Sequence, residues 1–335
     1  MVGHTSPCHP LHSQLTQLLL SRPVSAPMVR YSKLPFRLFV RDYGVDMTYT
    51  PMILAHEFIR SPIARDSDYT TCPLERQPTS SDGRQHALIA QFASSEPTEF
   101  ARAAEMIGPW VDGVDLNCGC PQSWAMKEGI GCSLMSSPSL VAEMVRAARS
   151  RLSPEQSVSV KIRIHKDLDQ TVRWVKEVEA AGVTFITVHG RLRSQRSSTV
   201  PDYAAIKELR KHVSVPLVAN GDAYTLADVR EIAKLTDADG VMAARGILEN
   251  PALFAGYDAT PMEAMRRFLG YAVRCPISLP LVLQHISEMT VRVEGMGKKE
   301  RRRLMECRDL VELIDYVEEK WGLDEGRVKV DDVGG

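Results

Sequence analysis

Eight short β-rich runs separated by stretches of helical spacing limit this chain's fold more than any other feature. The runs cover 24–28, 46–50, 87–92, 113–116, 158–164, 185–188, 215–219 and 240–243. Stretches such as 168–181, 203–212 and 226–235 repeat apolar residues on one helical face. Ala180-Ala181-Gly182, followed by Val183, reads as a helix end with a glycine stop running into a strand. Strands that alternate with helices pair in parallel, because each needs a crossover. Eight such units predict an α/β fold, a (β/α)8 TIM barrel. A doubly wound sheet is the rival. It needs fewer units, and no glycine fingerprint follows the first strand.

The pattern stops near Pro261. From Met262 to Trp321 there is no strand signal, and Pro276, Pro280, Gly295 and Gly297 break the stretch into several helices. The chain therefore divides into a tail over 1–23, a barrel over 24–257, a helical domain over 258–325 and a tail over 326–335. The apolar run 16–20 is too short for a signal peptide. No acidic residue precedes Asp42, as in a transit peptide, but the segment is read as a disordered tail. No apolar run reaches membrane-spanning length. Seven cysteines spread over 335 residues argue against a disulfide framework and for a reducing compartment, cytoplasm or nucleus. The chain is read as a monomer. Its net charge of -1 gives no global basic field, so a nucleic-acid partner needs a local patch. Residues 261–303 supply one, with nine Lys/Arg against four Glu, whereas 304–325 hold two against eight acids. A solvated helix face is the plainer reading of such a charge run.

Barrel enzymes place their chemistry at the C-terminal ends of the strands. Here those ends are polar. Strand one ends Ala26-Pro27-Met28, strand three at Gln91, and strand four at Asn117, leading to Cys120 pinned by Pro121. Strand five carries Lys161 and Arg163 two residues apart, on one face. Strand six ends in His189-Gly190-Arg191, strand seven in Asn220-Gly221-Asp222, and strand eight in Ala243-Ala244-Arg245-Gly246. One inward cation is ordinarily paired in the core. A ring of polar groups is costly to desolvate, so a strongly polar or anionic ligand explains it better. Glycines after strands seven and eight let backbone N–H groups approach a phosphate, and a short helix over 247–254 is expected to point its N-terminus there. Lys161 suits an electron-rich flavin ring and His189 its phosphate chain. Flavin mononucleotide fits, and spacing alone also allows a phosphorylated substrate. Cys118 and Cys132 rival Cys120 as the reactive thiol, although free cysteines are often simply buried. No second cysteine or histidine pair gives Cys118-x-Cys120 metal-ligand spacing, so no metal is expected.

With these residues assembled, the chain resembles the tRNA-dihydrouridine synthases from about residue 24 to 322. The resemblance rests on Ala26 to Arg30, Leu34-Pro35-Phe36-Arg37, Tyr49-Thr50-Pro51-Met52, Asp115 to Gln122, Val160 to Ile164, Thr187 to Arg191, Ala219 to Asp222 and Gly240 to Phe254. It is most similar to the eukaryotic subfamily acting on D-loop uridines 20a and 20b. That match rests on Met28 to Lys33, Cys118 to Gln122 with Trp124-Ala125-Met126, Ala243 to Gly246, Asn250-Pro251-Ala252 and Phe254 to Tyr257. The resemblance implies an FMN-binding barrel, a helical tRNA-binding domain and NADPH (or NADH) as reductant. It makes Cys120 the catalytic cysteine. It places Ala26, Pro27, Met28, Gln91, Lys161, His189, Asn220, Gly221, Asp222, Ala244, Arg245 and Gly246 at or beside the flavin, and Asn117 and Arg163 near flavin and base. Three positions depart from the general family pattern. Ala244 stands where many members have Gly, Leu192 replaces Thr, and Gly129-Ile130-Gly131-Cys132 replaces Gly-Tyr-Gly-Ala.

Reduction of the uracil C5=C6 bond needs a hydride and a proton at opposite ends. The expectation is hydride from flavin N5 to C6 and a proton from Cys120 to C5, since a free thiol of pKa about 8.5 is protonated near neutral pH. Trp124 and Tyr31 are candidates for stacking an extruded base. Lys298, Lys299, Arg301, Arg302 and Arg303, with Arg191, Arg193 and Arg196, are expected to hold the tRNA backbone. The alternatives are an FMN reductase of a free pyrimidine or enone, disfavoured by the basic helical domain, and a tRNA-binding protein without catalysis, disfavoured by Cys120, Lys161 and His189.

Overall fold

The computed structural model describes residues 22–77 and 86–321. Eight parallel strands form the barrel: β1 (Arg22–Ser25), β2 (Met47–Tyr49), β3 (Ala87–Ala93), β4 (Gly113–Cys118), β5 (Ser157–Ile164), β6 (Phe185–Leu192), β7 (Leu217–Asn220) and β8 (Gly240–Ala243). β1 pairs with β8 through Arg22↔Gly240 to Ser25↔Ala243, and with β2 at Val24↔Met47. β2 pairs with β3 at Met47↔Ala87, so the sheet closes on itself. A two-residue strand, Ile53–Leu54, adds to the rim of β3. The predicted TIM barrel is therefore present. A closed cylinder of parallel strands needs no covered edge.

The helices follow in order: α1 (Leu34–Arg41), α2 (Ala55–Arg60), α3 (Pro62–Asp68), α4 (Pro97–Ile107), α5 (Ser123–Lys127), α6 (Pro138–Arg149), α7 (Leu168–Ala180), α8 (Tyr203–Arg210), α9 (Leu226–Thr236) and α10 (Arg245–Glu249). Beyond the barrel come α11 (Met262–Arg274), α12 (Leu279–Met289), α13 (Lys298–Met305) and α14 (Leu310–Trp321). Local chemistry sets their ends. Asp202 caps α8 by accepting from the Ala205 N–H at 2.8 Å, and Thr225 with Asp228 forms a capping box on α9. Gly182, at φ +100°, ends α7 as the Ala-Ala-Gly signal requires.

Period-two alternation splits the strand residues between two cores. Val114, Leu116, Cys118, Val160, Ile162, Ile186, Val188 and Ala219 face the helices in the large outer core. Each fully buried Val, Ile or Leu there contributes about 1.5–3 kcal/mol. Val24, Met47, Tyr49, Ile89, Phe185, Val218 and Met242 pack in the lumen. The outer core continues into the last four helices. Phe39 meets Phe268 at 5.6 Å, and His285 lies between Phe36 and Phe268 at 4.8 and 4.7 Å. Burial pushes the His285 pKa down to about 3, so it packs as a neutral ring.

Several boundaries move. β1 begins at Arg22, ahead of the expected start, and ends at Ser25, which leaves Ala26-Pro27-Met28 in the following loop. β6 runs past Val188 to Leu192, because a register shift opposes Arg163↔His189 and then Ile164↔Leu192. The helix expected over 247–254 is instead α10 followed by a separate 3₁₀ turn, Leu253–Ala255. Pro251 lies between them and cannot continue a helix ladder. The tail residues 1–21 and residues 322–335 lie outside the described residues. No helix among the described residues is long and apolar enough to cross a membrane.

Candidate active site

The polar strand ends converge on the C-terminal mouth of the barrel. Deepest is a layer formed by Tyr49, Asp115, Ser159 and Thr187, all buried. Asp115 accepts from the Ser159 hydroxyl at 2.6 Å and from Gln91 Nε2 at 2.8 Å. Burial raises its pKa to about 6, opposed by those two bonds and by Lys161. Above it, Asn117 donates to Gln91 Oε1 at 2.8 Å and accepts from the Gly119 and Cys120 N–H groups at 3.1 and 2.9 Å. Lys161 donates to Asn220 Oδ1 at 2.9 Å, and Asn220 donates to the Met242 carbonyl at 2.9 Å. Burial and the neighbouring Arg163 lower the Lys161 pKa to about 8.

Three cysteines meet here, and their surroundings separate them. Cys118 points outward into the helix-side core, and burial raises its pKa well above the usual thiol range. Cys132 is 2% exposed and pushed up to about 11 by burial. Cys120 keeps partial exposure at the rim. Its carbonyl accepts from the Cys132 N–H at 2.9 Å, tying the loop after β4 to the 3₁₀ turn Gly131–Ser136. Gly131 is required there: its φ is +63°, and a Cβ would lie 2.6 Å from the Cys120 carbonyl oxygen. Arg163 clamps the same loop. It donates to the Gly119 carbonyl at 3.1 Å and to the Leu192 and Gln195 carbonyls at 2.9 and 3.2 Å.

Beside the lumen lies a cup of about 60 Å³ lined by His189, Arg191, Gly221, Asp222, Tyr224 and Arg245, with Asn220, Ala244 and Gly246 completing it. Its two arginines and its two glycines, Gly221 and Gly246, give it the cationic, backbone-lined character that suits a phosphate group. Arg191 and Arg245 both bond Asp222. The His189 pKa is pushed down to about 2, first by burial, then by Lys161, Arg163, Arg191 and Arg245. Arg191 Nη1 lies 3.0 Å from His189 Nε2, and an arginine only donates, so the imidazole is neutral with its proton on Nδ1. A neutral histidine among four cations describes a site built for an anion.

The structure brings together Gln91, Asn117, Cys120, Lys161, Arg163, His189, Asn220, Gly221, Asp222, Ala244, Arg245 and Gly246. Ala26, Pro27 and Met28 form the adjoining rim, where the Met28 N–H bonds Ser32 Oγ at 3.0 Å. One expectation is corrected. Arg191 is not on the outer surface for an RNA backbone: it is 2% exposed and held in the cup by Asp222 and the Thr199 and Ser197 carbonyls. Tyr31 is half-buried and meets His285 in a T-shaped contact at 5.1 Å, and Trp124 is exposed. Arg193 and Arg196 are exposed. On α13, Lys298 and Lys299 are exposed, Arg301 is half-buried, and Arg302 and Arg303 pair with Glu306 and Glu319 at 2.9 and 2.7 Å. Sequence pattern gives no signal for Tyr224. It lies in a loop without periodicity, and its ring receives Arg245 and Arg292 at 5.3 and 5.5 Å. Among the described residues no three His, Cys, Asp or Glu side chains gather as a metal site requires.

Residues 24–314 match a protein family described as Dihydrouridine synthase (Dus). The chain is 44% identical over 300 residues to the tRNA-dihydrouridine(20a/20b) synthase, NAD(P)+, of Schizosaccharomyces pombe, covering 89% of this chain and 88% of that one. It is 42% identical over 304 residues to a tRNA-dihydrouridine(20a/20b) synthase-like protein of Mus musculus, covering 89% of each. A tRNA-dihydrouridine(16/17) synthase-like protein of Mus musculus is 34% identical, over 87% of this chain and 59% of that one. Among solved structures, a 6-hydroxypseudooxynicotine amine oxidase from Pseudomonas geniculata shares the fold at 13% identity, with a TM-score of 0.52 over 73% of this chain and 49% of that one.

Proposed function

The chain belongs to the dihydrouridine synthase family, and from that premise we propose that it reduces the C5=C6 bond of D-loop uridines 20a and 20b in tRNA, using FMN and NADPH. The observation that carries the reading is the convergence of one partly open thiol, a ring of cations and a cup lined by arginines and glycines on a single barrel mouth. The higher identity to relatives named for 20a/20b than to one named for 16/17 supports the choice of uridines.

The residues fit FMN. Arg191, Arg245, Gly221 and Gly246 suit its phosphate, and the polar lumen around Lys161, Gln91 and Asn117 suits the edge of its ring. Bound FMN supplies hydride chemistry at N5 and is recharged by NADPH. Cys120 provides the proton for C5 from the rim. Cys118 and Cys132 do not compete, because both are enclosed in the protein and out of reach of a base at the mouth. Lys161 holds positive charge deep in the lumen, where an electron-rich ligand is stabilised most strongly. Exposed Trp124 stacks the extruded base or its neighbour, and the free lysines of α13 hold the tRNA backbone.

Turnover tests the reading. The purified protein with FMN and NADPH is given tRNA that lacks dihydrouridine, and the product is mapped by mass spectrometry. Dihydrouridine at 20a and 20b is expected. Signal at another uridine keeps the reaction and discards the site. No signal from flavin-loaded protein that oxidises NADPH sinks the proposal. Cys120→Ala is expected to keep flavin reduction by NADPH while losing about 100-fold or more in tRNA reduction, the usual contribution of a positioned acid.

A further inference from the structure

We infer that Asp115 is a positioning residue that fixes the Cys120 loop through a polar relay, Asp115–Gln91–Asn117–Cys120. The relay deepens the dihydrouridine synthase reading and rests on it. Asp115 is fully buried, and each of its carboxylate oxygens has one partner, Ser159 at 2.6 Å and Gln91 Nε2 at 2.8 Å. A carboxylate only accepts. Gln91 must therefore turn its NH₂ toward Asp115 and its carbonyl toward Asn117. Asn117 in turn gives its NH₂ to Gln91 at 2.8 Å, which leaves its carbonyl for the Gly119 and Cys120 N–H groups at 3.1 and 2.9 Å. Either amide reversed alone would set donor against donor or acceptor against acceptor. The acceptor-only end in the core thus selects the one amide orientation that holds the loop. The Gln91 backbone is also held, its N–H donating to Thr50 Oγ1 at 3.0 Å.

The polarity makes an isosteric swap the test. Gln91→Glu sets two carboxylates against each other, and they must share a proton or part. Adding Asp115→Asn gives the new carboxylate at position 91 a donor and keeps the Ser159 bond. The second oxygen of that carboxylate is left to accept from Asn117. The readout is single-turnover reduction of saturating tRNA by the pre-reduced holoenzyme. Gln91→Glu is expected to slow it by roughly tenfold or more, as losing a buried hydrogen bond does. Position 91 also edges the flavin, so the two variants, which share that change, are compared with each other: the double variant is expected to be about tenfold faster than Gln91→Glu. If Gln91→Glu sheds flavin, the same comparison is read on flavin retention, which the double variant must regain. A double variant as impaired as Gln91→Glu overturns the relay, and so does a Gln91→Glu enzyme as fast as wild type. Failure of the wild type to make dihydrouridine would instead strike the parent reading, so the two failures are distinct.

Discussion

Lys161 bears the electrostatic strain of the site. Its ordinary pKa is about 10.4, and burial with Arg163 beside it lowers this to about 8. Between those values the unfolded chain binds more protons than the folded one, so stability rises with pH across the window. Below about 8 the folded protein carries the full penalty of the charge. Lys161→Met should therefore make the flavin-free protein more stable at pH 7. Roughly 1–2 kcal/mol is expected, at the low end for a removed buried charge because Asn220 loses its bond. The gain should shrink between pH 8 and 10.4, and flavin affinity should fall. Denaturant unfolding of both proteins from pH 7 to 10.5 checks this, and a less stable Met variant at pH 7 would contradict it. Lys161 is legible in the sequence because β5 alternates Ser159, Lys161 and Arg163 with apolar residues, and Cys120 because a proline pins it at a strand end. Arg191 shares the face of His189 by the same period of two, but its pairing with Asp222 is not legible, because that partner comes from the next strand's loop.

The elements show which glycines the architecture needs. Gly246, in the first turn of α10, packs so closely that an added Cβ would lie 2.0 Å from the Ala223 carbonyl oxygen and 2.8 Å from Tyr224 Cα. Backbone cannot yield as a side chain does, so Gly246→Ala must push α10 off the loop that lines the cup. A loss of about 1–3 kcal/mol, the usual cost of overpacking, and weakened flavin retention are expected. Gly270, inside α11, has nothing within 4 Å of the same position. There Gly→Ala should stabilise by about 0.5–1 kcal/mol, since alanine loses less backbone freedom in a helix. Melting temperatures that move in opposite directions would confirm both, and equal shifts would refute the packing argument. All eight strands are legible because a parallel barrel strand is apolar toward its helices and bounded by turn residues. Their ends are not, because pairing with a neighbour decides where a strand stops. β8 lies where the pattern puts it, whereas β1 stops at Ser25 and β6 gains the bulge.

Across the whole molecule the charge is divided rather than spread. The chain is nearly neutral, yet α13 begins with Lys298 and Lys299 and continues through Arg301, Arg302 and Arg303. The sequence shows this cluster but not fully how it is spent, because Arg303 finds its acidic partner on another helix. Arg303 reaches Glu319 on α14, Arg302 pairs one turn ahead with Glu306, and Glu300 bonds Lys320 at 3.3 Å. Among the described residues no carboxylate lies within ion-pair distance of Lys298 or Lys299. An arginine already paired must give up its carboxylate to take a phosphate, whereas a free lysine gives up only water and counterions. The two lysines should therefore carry more of the tRNA grip than the two arginines. Each phosphate contact contributes roughly 0.7–0.9 to the slope of log affinity against log salt. Lys298→Gln with Lys299→Gln should flatten that slope by about 1.4–1.8, twice the contribution per contact. Arg302→Gln with Arg303→Gln should flatten it by less. Filter binding of tRNA between about 50 and 200 mM salt covers the range where such contacts are felt. Equal flattening by both pairs would mean that the ion pairs open freely on binding. An unchanged slope when all five residues are neutralised would make α13 a solvated face and move the grip to Arg193 and Arg196 on the barrel rim.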